Sequence, residues 1–195
     1  MRIGVDVDGV LADSVTAFLG WHNRVYGTNY TFEQVTDFDL SKLWGGTNEE
    51  SVQKIITCYT SPEFEAVQPV LGAVEAIKKL AKDHELIIIT ARPASMIETT
   101  KNWICMFFPE MFDDIYFNDC LKSTGVYGKK QEQMKEAKIE LLIDDALKNV
   151  SISSEIGIPS LLLDYPWNQS DDLPKGVTRV KNWKEIVEII NSQEI

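Results

Sequence analysis

Three short runs of Ile, Leu and Val end abruptly in acidic or hydroxyl side chains, and they decide most of what this chain can fold into. They are "IGVDVD" at 3–8, "ELIIIT" at 85–90 and "IELLIDD" at 139–145. Continuous branched apolar runs of this length suit strands buried on both faces, as in a parallel sheet covered by helices. A fourth run, "PSLLLD" at 159–164, follows a Gly-Ile-Pro turn, and "TRV" at 178–180 reads as a short last strand. Helical patterns lie between them. "GAVEAIKKLAKDH" puts Val74, Ile77, Leu80 and Ala81 on one face, "EQMKEAKI" precedes the third run, and "WKEIVEIINS" closes the chain. The alternation predicts an α/β fold with a doubly wound parallel sheet, which binds ligands beyond the carboxyl ends of its strands. The polar residues that close each run stand at those ends.

The stretch between the first two runs is too long for a simple crossover. Ser14 is placed to cap a helix whose Val15, Phe18, Leu19, His22, Val25 and Tyr26 share one face. Val52, Ile55, Ile56 and Tyr59 mark another helix, and "SPEF" and "QPVLG" read as the return. The expected organisation is a catalytic core of 1–13 and 69–195 with a helical cap subdomain at 14–68, which suits a chain of 195 residues.

Burying charge is expensive unless it is paired or bound to a metal. Asp6 and Asp8, two apart on a strand, would share a face and address one ligand; taken alone, the pair also describes solvated turn acids. Asp144 and Asp145, adjacent at the end of a buried strand, repel each other unless a cation sits between them or Asp145 caps the next helix. Thr90 alone is an ordinary strand residue, and Lys130 alone an ordinary solvated lysine. The formal charge of −11 disfavours nucleic acid and anionic membrane as partners, so an acidic chain that handles phosphate needs a metal ion or a few placed cations. Cys58, Cys105 and Cys120 have no CxxC spacing and read as reduced thiols in a cytoplasmic setting. The first residues lead into a strand rather than a signal peptide, and no apolar run approaches the roughly 18 residues needed to span a membrane.

In chain order the strand ends give DxDG, Thr, Lys and DD. That order resembles the haloacid dehalogenase-like hydrolase superfamily, through "DVDGVLADS", "LIIITARP" and "GKKQEQMKEAKIELLIDD" together with the position of the inserted segment. Within it, "DVDGVLAD", "VLGAVEAIKKL" and "LLIDD" are most similar to the 5′(3′)-deoxyribonucleotidases and their bacterial relatives.

The resemblance implies a Mg²⁺-dependent phosphomonoester hydrolase. Asp6 would be the nucleophile, forming an aspartyl-phosphate. Asp8 would exchange the proton with the leaving oxygen and the attacking water, its main-chain carbonyl meeting the metal. Asp144 and Asp145 would complete the metal site with Asp6, the inner ligand being left open between them. Thr90 and the N–H of Ala91 would hold the phosphate, and Lys130 would neutralise charge, with Lys129 and Lys101 as fallback lysines. Two positions depart from the deoxyribonucleotidase pattern: Ser14 stands where an aromatic residue can stack on a base, and Thr90-Ala91, followed by Arg92, replaces Thr-Ser. Trp44, in "LWGG", and Tyr59 are then the expected substrate walls, with Arg92 beside them; His22 is expected to be structural. The substrate class implied is a small phosphorylated metabolite, foremost a nucleoside monophosphate, with a sugar phosphate or phosphoglycolate as the alternative. A homodimer is left open.

Rival readings fare worse. A response-regulator receiver domain places its acidic pair first, whereas here it comes last. A dehalogenase has no need of Asp8. A P-loop kinase is excluded because GxxxxGK[ST] does not occur. A catalytically idle scaffold would not need all four motifs.

Overall fold

The computed structural model describes residues 1–117 and 128–192, with only the backbone described for 128 and 129. The elements in order are β1 (Arg2–Val5), α1 (Ser14–Tyr26), α2 (Ser41–Trp44), α3 (Asn48–Cys58), α4 (Pro62–Glu65), α5 (Ala73–Leu80), β2 (Glu85–Thr90), α6 (Ile97–Phe107), β3 (Asp114–Phe117), α7 (Gly128–Glu136), β4 (Leu141–Asp144), α8 (Leu147–Glu155), β5 (Ser160–Leu163), β6 (Val177–Val180) and α9 (Trp183–Ser192). The strands form one six-stranded sheet in the order β3-β2-β1-β4-β5-β6, with every pairing parallel. The chain winds outward from β1 in one direction, then returns and winds out in the other. This is the doubly wound α/β sheet expected, and its crevice opens beyond β1.

Alternation along the strands divides the core in two. Ile3, Val5, Leu86, Ile88, Leu141, Ile143, Leu161 and Leu163 face one cluster, which continues into α5, α9 and the helices that follow β1. Ile87, Ile89, Leu142 and Leu162 face the other, against Met134 of α7 and Val150 of α8. Gly4 lies where β1 is closest to this second layer: a Cβ there would come within 2.7 Å of the Ile139 side chain. Larger residues would force that layer apart, so glycine is the residue the packing accepts.

β3 was not expected. It has four residues, is half-exposed and lies at the sheet edge, so it carries none of the buried-run pattern that marks β1, β2, β4 and β5. The helices α1–α4 occupy the long insertion. Phe18 stacks on Phe64, with ring centroids 5.7 Å apart, and both contact Tyr59. The segment leaves and re-enters the sheet domain at one place: Asp13 N–H donates to Gln68 O, Val70 N–H donates to Leu11 O, and Ala12 bridges Pro69.

Two expectations for α1 are corrected. Its N-cap is Asp13, whose carboxylate accepts from Thr16 N–H, and not Ser14. Val25 and Tyr26 do not join the apolar face but are about half-exposed at its last turn, ahead of a left-handed Gly27. Lys54 Nζ covers the Tyr26 ring at 5.1 Å, and the ring also meets the buried His22 and Trp21, so its exposed part is met by a cation.

Candidate active site

Parallel register brings the strand ends level. Val5 pairs with Ile88 of β2 and with Ile143 of β4, so Asp6, Thr90 and Asp144 emerge at the same edge. Asp6 and Asp8 lie beyond the end of β1, in a tight loop where the N–H groups of Val10, Leu11 and Ala12 all converge on Val7 O. The strand alternation that would put both acids on one face therefore does not govern them. Trp183 of α9 donates its indole N–H to Val10 O at 3.0 Å and fixes this loop from below. Gly9 adopts φ +78°, and a Cβ built on it would fall inside van der Waals contact with the Asp145 carboxylate. The glycine is thus required twice, for its backbone and for the approach of the acid.

Asp6, Asp144 and Asp145 are buried and offer carboxylate oxygens that all lie within 4.8 Å of one another. Lys130, at the start of α7, reaches into them: Nζ is 3.0 Å from Asp6 Oδ1 and 2.8 Å from Asp144 Oδ2. Asp144 is also held by the Ala146 N–H at 2.9 Å and by the Asn149 amide. Asp145 Oδ2 accepts the Trp167 indole N–H at 2.9 Å, and Asn168 donates to the Asp145 carbonyl. The helix after β4 is capped at Ala146, so Asp145 is not its N-cap.

Electrostatics follow from that arrangement. Burial pushes Asp6 up to about 7, Lys130 opposes it and Asp144 adds to it. Burial raises Asp145 well above the ordinary carboxylate range, helped by the charges of Asp144 and Asp6. Burial alone would lower Lys130, but the charges of Asp144 and Asp6 outweigh it and hold the ammonium protonated.

Three buried acids share one lysine, and Asp145 is the one Lys130 does not touch. A set of hard carboxylate oxygens with too few cations beside it fits a hard divalent cation such as Mg²⁺. The donors already on Asp144 assign Asp6 and Asp145 the better-placed oxygens. The Asp8 carboxylate does not join this cluster.

Asp8 faces the other way. Arg92 is fully buried and holds it through Nη2 on Oδ1 at 2.7 Å and Nε on Oδ2 at 3.0 Å, while the Ser14 hydroxyl donates to Oδ1. Burial works to raise Asp8, but Arg92 outweighs it and Asp8 lies below its usual value. Arg92, expected beside the substrate, is thus committed to Asp8 and to Thr100 Oγ1. Thr90 is buried at the end of β2, and its hydroxyl accepts the Arg92 N–H, which leaves its own hydrogen to donate. Ala91 follows it directly at the site.

The cap aromatics part company. Tyr59 lies close enough to Asp8 and Arg92 to feel both charges, and burial first, then Asp8, raises its hydroxyl. Trp44 instead stacks on His22, with centroids 4.7 Å apart and planes 15° apart. His22 lies eight residues along α1 from Ser14, about 12 Å, so the indole packs away from the carboxylates. Lys101 is exposed on α6 and takes no part, and the side chain of Lys129 lies outside the described residues, as does Cys120. Trp167 and Asn168 were missed by sequence reasoning, because an indole 22 residues from Asp145 leaves no spacing signal. Cys58 and Cys105 are free thiols, the first buried and the second exposed. Among the described residues no helix is long and apolar enough to cross a membrane.

Residues 1–194 match the family described as 5′ nucleotidase, deoxy (pyrimidine), cytosolic type C protein (NT5C). A candidate nucleotidase of Halalkalibacterium halodurans is 31% identical over 94% of this chain and 89% of its own length. YqfW of Bacillus subtilis, also named as a candidate nucleotidase, is 30% identical over 100% of this chain and 95% of its own. Among solved structures, a haloacid dehalogenase-like family hydrolase from Streptococcus pneumoniae superposes with a TM-score of 0.69 at 17% identity, covering 97% of both chains. The HAD-hydrolase candidate YfnB from Bacillus subtilis, solved with magnesium, gives 0.65 at 16% identity, covering 97% of this chain and 98% of its own.

Proposed function

The chain belongs to the 5′ nucleotidase, deoxy (pyrimidine), cytosolic type C family, and from that premise we propose that it is a Mg²⁺-dependent 5′-nucleotidase of the cytoplasm, acting on (deoxy)ribonucleoside monophosphates through an aspartyl-phosphate. The observation that carries the chemistry is the convergence of Asp6, Lys130 and Asp145 at one strand edge.

Asp6 attacks phosphorus in line with the leaving oxygen and becomes phosphorylated. Lys130 keeps Asp6 ionised and neutralises charge that builds on the phosphoryl oxygens. Thr90 Oγ1 and the Ala91 N–H hold the phosphate while the leaving group departs. Asp8 gives the leaving oxygen its proton, then takes one from the water that hydrolyses the aspartyl-phosphate. Asp6, Asp145 and the Asp8 carbonyl, with Asp144 behind, would hold the cation, which would supply charge neutralisation on the phosphate. The segment 14–68 acts as the cap, and Tyr59 is the cap aromatic that flanks the substrate.

Base recognition through an aromatic side chain is worth roughly 1–3 kcal/mol, or about a five- to hundredfold preference over a phosphate ester without a base. Comparing kcat/KM for dUMP, dTMP and a plain sugar phosphate tests this, with Tyr59→Leu as the variant. The preference is expected in the native enzyme and lost in the variant. Equal turnover of the sugar phosphate, with a ratio unmoved by Tyr59→Leu, leaves a general small-molecule phosphatase.

A further inference from the structure

Arg92 is 1% exposed, and each of its three side-chain nitrogens donates to the protein. Nη1 donates to Thr100 Oγ1 on α6 at 3.2 Å, the guanidinium carbon lies 5.0 Å from the centre of the Phe64 ring on α4, and Nε and Nη2 address Asp8. A guanidinium braced on three sides is pre-organised, so it fixes a carboxylate with little further loss of freedom. The contacts are unequal between the two oxygens of Asp8. Oδ1 receives Nη2 at 2.7 Å, Nε at 3.2 Å and the Ser14 hydroxyl, whereas Oδ2 receives Nε alone at 3.0 Å.

We propose that Arg92 is a positioning residue which, with Ser14, anchors Asp8 by Oδ1 and so aims Oδ2 as the oxygen that exchanges the catalytic proton. The inference rests on the phosphatase reading above and goes beyond it, because it assigns Arg92 to the acid rather than to the substrate. In the first step the proton on Oδ2 passes to the leaving oxygen as the P–O bond breaks and the bond from Asp6 to phosphorus forms. In the second step Oδ2 takes a proton from water as the water oxygen attacks phosphorus and Asp6 departs. The balance closes with Asp8 protonated again, and Arg92 carries no proton in either step. Ser14 takes on meaning here as well: the position at which relatives can place a stacking ring supplies a donor to the acid.

The test uses the dependence on leaving group. An alkyl phosphate leaves as an alkoxide that must be protonated, whereas p-nitrophenol leaves as a stable anion. The ratio of kcat/KM, which includes steps only up to departure of the leaving group, therefore isolates the proton delivered by Asp8. In the full chain with Mg²⁺, the nucleoside monophosphate or other alkyl phosphate turned over best is compared with p-nitrophenyl phosphate. Arg92→Lys, Arg92→Met and Ser14→Ala are the variants. Arg92→Lys is expected to lower kcat/KM for the alkyl ester about ten- to hundredfold while the aryl ester changes less than about threefold, the scale set by general acid catalysis. Ser14→Ala should move the ratio in the same direction by a smaller factor.

Equal losses on both esters overturn the proposal, since a guanidinium that binds phosphate or merely supports the fold serves both alike. No loss on either ester also overturns it. If Arg92→Met does not fold, Arg92→Lys and Ser14→Ala decide the matter, each checked by an unchanged thermal midpoint. A native enzyme that hydrolyses neither ester defeats the phosphatase reading and this one with it, an outcome separate from equal losses in the variants.

Discussion

Lys130 Nζ stands 3.0 Å from Asp6 Oδ1, two residues 124 positions apart in the chain. The same ammonium meets Asp144 at 2.8 Å, so one buried cation serves two of the three clustered acids. Lys130→Met would leave both without it. Removing one partner of a buried ion pair costs about 3–5 kcal/mol, so the metal-free variant is expected to melt well below the native protein. Added Mg²⁺ should recover part of that loss, while turnover stays low. Lys101→Met, on an exposed lysine, should change neither quantity. Calorimetry with and without Mg²⁺ checks both variants, and a Lys130→Met protein as active as the native one would remove this lysine from the chemistry.

Asp6→Asn is expected to lose several orders of magnitude in turnover and to trap no phosphate covalently, as mass spectrometry of the denatured protein would report. Its stability should behave oppositely. Burial pushes Asp6 up from an ordinary 3.8 to about 7, so the folded state holds a proton that the unfolded chain releases between those values. Metal-free stability therefore falls as pH rises across that window. The asparagine variant lacks this slope and should match or exceed the native melting temperature at pH 8.

Mg²⁺ should raise the melting temperature of the native protein, by an amount equivalent to about 2.7 kcal/mol at a hundred times its Kd. Asp145→Asn should abolish that shift. Trp167→Phe removes the indole donor from Asp145 Oδ2 and should weaken Mg²⁺ about ten- to hundredfold, the usual cost of losing an outer partner of a ligand. Calcium should bind yet support little turnover, because it takes more ligands at longer distances. Titration calorimetry reads the affinities, and an unchanged Kd in Trp167→Phe would count against the support role.

His22 is buried against Trp44, with Nδ1 on Thr28 Oγ1 at 2.9 Å. Burial first, and the Lys54 charge second, lower it to about 4 from 6.5. The unfolded chain binds its proton at higher pH than the folded one, so the stability His22 contributes is complete above 6.5 and lost as pH falls toward 4. His22→Phe keeps a ring on Trp44 and removes the titration. The difference between native and variant melting temperatures at pH 7 and pH 4.5 should shrink or reverse on acidification, and a constant difference would exclude His22 from the acid response.

What the sequence disclosed depended on how each feature is written along the chain. β1, β2, β4 and β5 were legible because each is buried on both faces and so carries an apolar run, and the acidic or hydroxyl side chains that end them are conspicuous against it. β3, short and half-exposed at the edge, bears no such mark. The cluster of Asp6, Asp144 and Asp145 could be expected from strand ends in a parallel sheet. Which acid faces which cation could not, because the chain turns after Val5 and sends Asp6 to Lys130 but Asp8 to Arg92. Trp44 beside two glycines looked exposed to a ligand, yet its large apolar area found His22 instead. Ser14 looked like a helix cap because serine suits that position, and only the fold shows the neighbouring Asp13 taking it.

The paired strands of chain at Leu11–Asp13 and Gln68–Val70 close the inserted segment at its neck. The two ends are already hydrogen-bonded to each other, so the length of what lies between them is nearly independent of the sheet, and closing a longer or shorter loop there changes the cost only slowly. Such a neck makes the insertion interchangeable: a different set of helices, or a brief turn, can be spliced between Asp13 and Gln68 while Asp6, Lys130 and Asp145 keep their places. What such a splice must supply again includes the side chains that reach down across the seam: the Ser14 hydroxyl on Asp8, the Phe64 ring beneath Arg92 and the Phe32 ring against Trp167.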